Sequence, residues 1–394
     1  MPQPTLLQAL LAGIASIVLT LGIARFAYTP LLPLMQQQAG LSLAGGGELA
    51  AFNYLGYLSG ALVAALINDL YLKDRLFRLG LLVALLSTLG MGLTQELWIW
   101  SLLRYLAGLS SAAGLLLGTG LLLNWLLRQN HKSELGLHFS GVGLGIFLGA
   151  AVVAWADPWL NWQQQWWLLT ALGVVLALLT LRWFPHPDAN PYSTSGTRLQ
   201  DNPPTPLFMA LFQAAYFCAG IGYVVSATFI VAVMEALPAQ QGYGNSAFLI
   251  LGLAAAPACL LWDRVARVMG EIPALILASL LQVLGIVLPL WLDGLFWALL
   301  GAVLFGGTFI GIVSLVLTMA GHYYPTRPAR MMGRMTLSYG VAQIIGPALT
   351  GWIATSSGNY RAGLYLAAAM MLLGTLLLLI LQQVDRHQQA APTN

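Results

Sequence analysis

Two arginines of this 394-residue chain, Arg25 and Arg104, lie inside long apolar stretches. A charged side chain at such a place is costly unless it meets a partner or a cavity, and it therefore points to function. A guanidinium group can bind a carboxylate or a phosphate through two parallel hydrogen bonds, which an ammonium group does not match. We predict that Arg25 lines a cavity for an anionic or zwitterionic solute. The alternative is a structural arginine that binds helix carbonyls or Glu48.

Other polar side chains in the apolar stretches are candidates for the same solute pathway. Tyr28 follows Arg25 in its own stretch, and Asn53 and Tyr57 are four residues apart, so they share one helix face. An asparagine in hydrocarbon needs a hydrogen-bond partner, and substrate contact and helix packing are equally consistent with Asn53. In the second half of the chain, Tyr223 and Gln343 can supply polar groups to a central cavity, with packing as the alternative.

Acidic residues are scarce inside the apolar stretches. Glu48 and Glu235 lie near the ends of theirs, and no Asp or Glu has a clear mid-membrane position. This pattern disfavours an exporter of cationic drugs, in which a buried acid receives the substrate or a proton. The two buried arginines instead favour an anionic or zwitterionic solute. A proton relay through His138 is a further alternative.

Motifs of catalysis and of cofactor binding do not occur in the sequence. There is no CxxC or HExxH pattern, and the glycine-rich strings follow apolar helical runs rather than strands. Cys218 and Cys259 both lie within apolar stretches, where cysteine packs as a small hydrophobic residue. We therefore predict a protein that is not an enzyme and that holds no cofactor and no metal.

Apolar residues dominate the composition and form the elements that must position these side chains. Hydrophobic residues make up 59% and charged residues 7% of the chain, whereas a soluble globular domain has about 25% charged residues. A helix of roughly 20 apolar residues is long enough to cross a bilayer. The sequence predicts an all-α integral membrane protein with twelve transmembrane helices, near residues 6–35, 46–67, 76–95, 97–127, 135–156, 164–184, 206–234, 246–262, 272–292, 295–321, 333–356 and 360–382.

Basic residues are sorted between the two sets of alternating connectors. One set, together with the C-terminal tail, holds thirteen of the sixteen, and the opposite set holds only Arg361. Because basic loops stay in the cytoplasm, both termini are predicted to be cytoplasmic. The dispersal of these residues over short loops gives no support to nucleic-acid binding. The thirteen are Lys73, Arg75, Arg78, Arg128, Lys132, Arg182, Arg198, Arg264, Arg267, Arg327, Arg330, Arg334 and Arg386.

A polar connector, residues 186–206, divides the twelve stretches into six and six. We expect six-helix bundles over residues 1–185 and 207–394, with the connector as a flexible cytoplasmic linker. Short strings recur at corresponding positions of the two halves, which indicates an internal duplication of the kind found in transporters built from two repeats. The paired strings are 21–25 with 219–223, 74–80 with 263–270, and 140–142 with 338–341.

Four strings carry a family resemblance, GIARFAYTPLLPLM at 22–35, NYLGYLSGAL at 53–62, RYLAG at 104–108 and SGVGLGI at 140–146. With the 6+6 pattern, they resemble the major facilitator superfamily and its bacterial YbfB/YjiJ-type branch. The resemblance implies two pseudo-symmetric six-helix bundles, and it ties Arg104 to coupling or to substrate charge, with an ion pair or a backbone contact as the alternative. One departure is that Asn68-Asp69 lacks the glycine that shortly precedes this aspartate in the superfamily.

Charged residues after the second and eighth helices form a second candidate site. We predict that Asp69, Arg75, Asp263 and Arg264 hold the two halves together on the cytoplasmic side through ion pairs and helix-end charges. Breaking these pairs would open an inward gate. The alternative is that the basic residues of these loops only set the orientation of the chain during insertion.

These expectations combine into one functional prediction, a secondary active transporter that moves a small organic solute by alternating access, with proton-coupled efflux as one form. We expect a monomer in the lipid bilayer, with a small-molecule substrate as its partner. Two other classes stay open. A lipid or amphipath transporter would carry a bilayer-facing hydrophobic groove between the fifth and eighth helices. A non-transporting assembly factor or sensor would lack a water-accessible cavity around Arg25.

Overall fold

The computed structural model describes residues 4–67, 69–129, 135–187, 203–323 and 328–390, and in these ranges the chain forms a bundle of helices. Segments that continue into one another are numbered as one helix. The first half of the chain forms α1 to α6 and the second half α7 to α12. The helices are α1 (Leu6–Ala39), α2 (Leu43–Leu66), α3 (Leu70–Met91), α4 (Leu97–Arg128), α5 (Leu135–Ala156), α6 (Trp162–Trp183), α7 (Pro206–Glu235), α8 (Gly244–Ala255 with Ala258–Met269), α9 (Glu271–Trp291), α10 (Leu295–Tyr323), α11 (Pro328–Ser357) and α12 (Arg361–Ala390).

Most of these helices are suited to a bilayer. Among the described residues, nine are long and apolar enough to cross a membrane, and the two segments of α8 together make a tenth. The prediction of an all-α protein with many membrane-crossing helices is therefore confirmed over the described ranges. The total of twelve spans and the two bundles, 1–185 and 207–394, stay predictions. Most of the predicted linker, 186–206, lies outside the described residues.

The helix α3 starts before the membrane span that the sequence predicts for it. The helix begins at Leu70, whereas hydropathy placed the third span at 76–95. The carboxylate of Asp69 caps it by accepting hydrogen bonds from the backbone N–H groups of Tyr71 at 2.7 Å and Leu72 at 3.1 Å. The charged first turns are thus helical. The helix begins before the predicted span because hydropathy reports affinity for lipid and not backbone conformation.

The hydrogen-bond register of α1 changes near its middle. Val18–Phe26 form a π-helical segment, where an amide reaches the carbonyl five residues earlier, and Ala27 N–H bonds to Gly22 O in the same way at 2.9 Å. Pro30 and Pro33 follow, and neither has an N–H group to donate. This part of α1 therefore offers backbone carbonyls to side chains of neighbouring helices.

A second distortion lies in α8, which was predicted as one stretch over 246–262. Its two segments meet at an angle of 51°, and the second continues to Met269. Pro257, at the bend, cannot donate a backbone hydrogen bond to the preceding turn. The prediction missed the bend and the charged last turns.

Helices of the two halves meet closely through glycines at two places. A Cβ atom built on Gly252 of α8 would lie 2.9 Å from the carbonyl oxygen of Gly143 in α5. One built on Gly351 of α11 would lie 2.9 Å from the Cα atom of Gly47 in α2. A side chain at these positions would push the helices apart, so the small residues permit direct backbone contact. The glycine-rich α5 and α11 thus allow close approach of the two halves.

Candidate transport site

Arg25 lies in the π-helical segment of α1 and is only 5% exposed. Its guanidinium carbon is 4.4 Å from the ring centroid of Tyr54 and 4.8 Å from that of Tyr57, both on α2. These distances allow cation–π contacts, in which the negative face of the ring attracts the cation. The predicted residues Arg25 and Tyr57 are thus brought together, and aromatic faces surround the charge.

The charge of Arg25 has no acidic partner in the part of the chain that the structure describes. No salt bridge there involves it, and its Nε atom has no hydrogen-bond partner. Glu48, its possible partner in the sequence, is exposed and lies with Glu96 in a groove between α2 and α4. A cation–π contact contributes about 0.5–2 kcal/mol, which compensates a buried charge only in part. Arg25 is thus a buried cation for which none of the described residues supplies an acidic partner.

Arg104 of α4 binds backbone carbonyls of α1. Its Nη1 donates to the oxygen of Ala24 at 3.0 Å and its Nη2 to that of Arg25 at 3.3 Å. Its guanidinium carbon lies 4.5 Å from the ring centroid of Tyr28. In π register the carbonyl of Arg25 would pair with the amide of residue 30, and Pro30 has none. The backbone contact is thus the role that the structure shows, and a role in coupling stays a prediction.

Two other predicted pathway residues also bind backbone groups. Asn53 Nδ2 donates to the carbonyl oxygen of Arg104 at 2.9 Å, and the hydroxyl of Tyr28 donates to that of Gly46 at 2.9 Å. These bonds join α1, α2 and α4 around Arg25. The Oδ1 atom of Asn53 is buried and has no hydrogen-bond partner among the described residues. Asn53 therefore serves helix packing and still has an acceptor for a ligand.

The second half of the chain presents tyrosines to Arg25. Tyr223 of α7 and Tyr339 of α11 both lie near Arg25 and Tyr54. Tyr223 is a predicted site residue, whereas Tyr54 and Tyr339 are not. Helical spacing is the signal that could have found them, because Tyr54 comes three residues before Tyr57 and Tyr339 comes four before a predicted glutamine.

That glutamine, Gln343 of α11, is 3% exposed. Its Oε1 atom is buried and finds no hydrogen-bond partner within the described ranges. Since Gln343 lies one helical turn from Tyr339, it supplies the second half with an acceptor near the tyrosines. A buried acceptor without a partner is costly, and a ligand with a donor group could satisfy it.

The four predicted gate residues lie outside this cluster. Asp69 caps α3, and Asp263 lies 3.9 Å from Arg267 on its own helix. Arg75 and Arg264 are exposed. The salt bridges of the described residues run within single helices, so none joins the two halves at these positions. The predicted lock stays a prediction.

Hydrogen bonds between the halves occur at the end of the bundle where α1 leads into α2, which we call the α1–α2 end. Thr29 Oγ1 donates to the carbonyl oxygen of Ala227 at 2.9 Å. Gln36 Nε2 donates to the hydroxyl of Tyr360 at 2.8 Å, and that hydroxyl donates to the carbonyl oxygen of Leu43 at 2.7 Å. The α1–α2 end is therefore closed in this conformation.

Histidines and acids elsewhere form no comparable site in the described chain. His138 is fully buried, and its Nε2 lies 3.0 Å from Thr119 Oγ1. No group of three or more His, Cys, Asp or Glu residues in the described ranges could hold a metal ion. The proton relay through His138 stays a prediction. The cluster around Arg25 is the candidate site.

Relatives of the chain in sequence are bacterial transporters. A gallate transporter of Pseudomonas putida is 26% identical over 196 residues, which cover 49% of this chain and 42% of that transporter. The chain thus matches less than half of that relative's length. YceJ, an uncharacterized MFS-type transporter of Bacillus subtilis (strain 168), is 25% identical over 276 residues, which cover 68% of this chain and 69% of the relative.

Solved structures of the nucleoside transporter NupG share the fold. A point mutant of NupG superposes with a TM-score of 0.76 at 13% identity, covering 95% of this chain and 99% of NupG. A second NupG structure gives 0.72 at 12% identity, covering 97% of this chain and 99% of NupG. These neighbours and relatives are transporters and not enzymes. The family model described as uncharacterised MFS-type transporter YbfB matches residues 17–379. Because this match covers nearly the whole sequence, the chain belongs to the YbfB-type family of major facilitator transporters.

Proposed function

We propose that the protein carries a small organic anion or zwitterion across the bacterial inner membrane by alternating access, as a monomer, with Arg25 holding the charge of the substrate. The observation that supports this is the burial of Arg25 without an acidic partner in the described chain. A carboxylate at this place would neutralise the cation and could accept a hydrogen bond from the free Nε–H. Binding of the carboxylate would thus neutralise a charge that is unfavourable in the closed protein.

The relatives support this choice only in part. Gallate, after which one relative is named, is a carboxylate anion. NupG is named for nucleosides, so the fold by itself does not select a charged solute. The selection for an anion rests on Arg25.

The proposed architecture is two six-helix bundles, residues 1–185 and 207–394, with twelve spans and cytoplasmic termini. In this orientation the closed α1–α2 end faces the periplasm. The glycine contacts between α5 and α8 let one bundle roll on the other with little separation. Ion pairs among Asp69, Arg75, Asp263 and Arg264 would then form only when the cytoplasmic end closes.

The structure also bears on the rival classes. A lipid transporter would need an open groove between α5 and α8, but Gly143 and Gly252 bring these helices into backbone contact. This contact favours a solute bound between the halves. A sensor would keep Arg25 enclosed in every state, whereas a transporter must expose it to each side in turn.

Uptake by reconstituted protein tests the proposal. Purified protein in liposomes would be given labelled monocarboxylates, dicarboxylates and amino acids, with the matching neutral amides as controls for charge. We expect Arg25→Ala to abolish uptake, and Arg25→Lys to weaken it strongly because the bidentate bond is lost.

A matched control removes a different arginine from the same protein. Arg361 lies at the α1–α2 end, where its Nη2 donates to the carbonyl oxygen of Leu290 at 2.8 Å. Arg361→Ala changes the net charge as Arg25→Ala does but leaves the site intact, so uptake should persist. Full uptake of an anion by Arg25→Ala would contradict the proposal.

A further inference from the structure

The second segment of α8, Ala258–Met269, carries exposed apolar side chains next to exposed charged ones. Leu261 and Val268 are exposed, Val268 to 88%, and because they are seven residues apart they lie on one side of the helix. Arg264, also exposed, is three residues from Leu261 and four from Val268, so it borders this side. Arg267 lies one turn further along, and its side chain is 80% exposed. This pattern of apolar and basic residues is typical of amphipathic helices at a bilayer surface.

The length of α8 brings these charged residues to the boundary of the bilayer. The first segment, Gly244–Ala255, has 12 residues and rises about 18 Å, which is less than the roughly 30 Å of a hydrocarbon core. The second segment must therefore complete the crossing, and the bend of 51° makes it run obliquely. It ends at Met269, because Gly270 follows with a φ of 93° and begins a new direction of the chain. The charged turns thus lie at the level of the lipid headgroups.

The matching string of the first half has a different environment. There, Arg78 Nε donates to both carboxylate oxygens of Asp74, at 3.1 and 2.9 Å, and Arg78 Nη2 lies 3.3 Å from His186 Nδ1. Only 24% of the Arg78 side chain is exposed. In the second half, the corresponding Arg267 and Asp263 are 3.9 Å apart, and both are exposed. The first string is therefore satisfied within the protein, whereas the second leaves positive charge available to a partner outside it.

A partner for this surface must offer negative charge next to apolar chains. The segment carries two arginines against one aspartate, and Arg264 forms no salt bridge in the described chain. In the proposed orientation this surface meets the cytoplasmic leaflet, whose anionic lipids attract basic residues. We infer that the second segment of α8 binds anionic phospholipids, whose phosphate groups contact Arg264 and Arg267 and whose acyl chains pack on Leu261 and Val268. This surface is separate from the proposed transport site and does not depend on its substrate.

Quenching of a fluorophore by brominated lipids tests which lipid lies at this surface. Val268→Cys, in the full chain with Cys218→Ala and Cys259→Ala, would carry a nitrobenzoxadiazole label. Two nanodisc samples would hold the same equal mixture of phosphatidylglycerol and phosphatidylcholine and differ only in which lipid has brominated acyl chains. We expect both lipids to quench, with phosphatidylglycerol enriched about fivefold at the label, which corresponds to the roughly 1 kcal/mol of attraction of a basic residue to an anionic surface.

Variants and salt assign this enrichment to the arginines. Arg264→Gln with Arg267→Gln should remove the excess quenching by phosphatidylglycerol, and the two lysine substitutions, which keep the charge, should retain most of it. In the chain with both arginines, raising the salt from about 0.1 M to 1 M should also reduce the excess, because the Debye length falls from about 10 to 3 Å. This second measurement needs no substitution of an arginine and keeps the test valid if the glutamine variant does not fold.

A label at a different lipid-facing position is the matched control. Leu284→Cys, in the same background, places it at an exposed residue of α9, a helix without basic residues. Both brominated lipids should quench this label equally. An excess of phosphatidylglycerol at this position as large as at residue 268 would overturn the inference, because the selection would not be local.

The remaining outcomes also decide the question. Equal quenching at residue 268 by the two lipids would overturn the inference, since the arginines would select no anionic headgroup. An excess that persists in the glutamine variant would overturn it as well. No quenching by either lipid would mean that this surface is covered by protein, such as a second copy of the chain, and not by the bilayer. None of these results bears on anion uptake, so the inference and the proposed function fail separately.

Discussion

Arg104 donates a hydrogen bond to the backbone carbonyl oxygen of Arg25 at 3.3 Å, so one buried arginine holds the helix segment that carries the other. The two have different electrostatic situations. Arg104 donates hydrogen bonds to two backbone carbonyl oxygens, whereas Arg25 lies among tyrosine side chains and has no acidic partner in the described chain. Removal of the two charges should therefore have opposite effects on stability.

Arg25→Met should raise the thermal stability of the protein while it abolishes anion binding. The change replaces an unpaired buried cation with an apolar side chain of similar length, and replacing buried ionic groups in this way is often neutral or stabilising by about 1–4 kcal/mol. The measurements are the melting temperature in detergent and the affinity for the carboxylates of the uptake panel. A melting temperature well below that of the wild type would show that Tyr54 and Tyr57 fully compensate the charge.

Arg104→Met should lower the stability instead. It leaves the carbonyl oxygens of Ala24 and Arg25 without their donor, and each buried group left unsatisfied costs about 1–3 kcal/mol. We also expect weaker anion binding, because the backbone under Arg25 is no longer held. An unchanged melting temperature with lost binding would instead mean that Arg104 contacts the substrate directly, as the family resemblance implies.

The contrast shows which parts of the site the sequence can reveal. Arg25 stands out because a charge within an apolar stretch carries a free-energy cost that is visible from its neighbours in sequence. Such a signal needs no knowledge of the fold. The contact of Arg104 with the backbone of α1 depends on the change of hydrogen-bond register in α1 and on the packing of α1 against α4. Neither can be read from a single sequence. The sequence therefore offered the backbone contact of Arg104 as one alternative without a means of deciding whether it forms.

Tyr54 and Tyr339 were missed for a different reason. Tyrosine is common in membrane helices, so neither residue carries a signal of its own. Their position near Arg25 arises only when α1, α2 and α11 pack together. By contrast, most helices were predictable because about 20 apolar residues suffice to define a span, and the differences fell at charged ends such as that of α3.

Gly252→Ala should impair the contact between α5 and α8. The added Cβ would lie 2.9 Å from the carbonyl oxygen of Gly143, and overpacking of this kind costs about 1–3 kcal/mol. Gly307→Ala is a matched control, since its Cβ would have no atom within 4 Å and alanine favours helix by about 1 kcal/mol. Melting temperatures and uptake rates should fall in the first variant and hold or rise in the second. Equal behaviour of the two would mean that the contact is not needed for transport.

Tyr360→Phe should open the α1–α2 end. The variant removes the hydrogen bonds to Gln36 and Leu43 but keeps the ring, which stacks on Phe229 with a centroid distance of 4.3 Å. At about 0.5–1.5 kcal/mol for each of the two bonds, the balance between closed and open states should move by roughly 5- to 160-fold.

Spin labels at two exposed positions of opposite halves, Gln37 on α1 and Ser356 on α11, would report this opening as a longer distance. Tyr365→Phe is the control, because Tyr365 is 40% exposed and none of the hydrogen bonds that join the halves at this end involves it among the described residues. Its distance distribution should match the wild type. If Tyr360→Phe also leaves the distribution unchanged, the hydroxyl does not hold this end closed, and the closure depends on the glycine contact between α2 and α11 and on Thr29 instead.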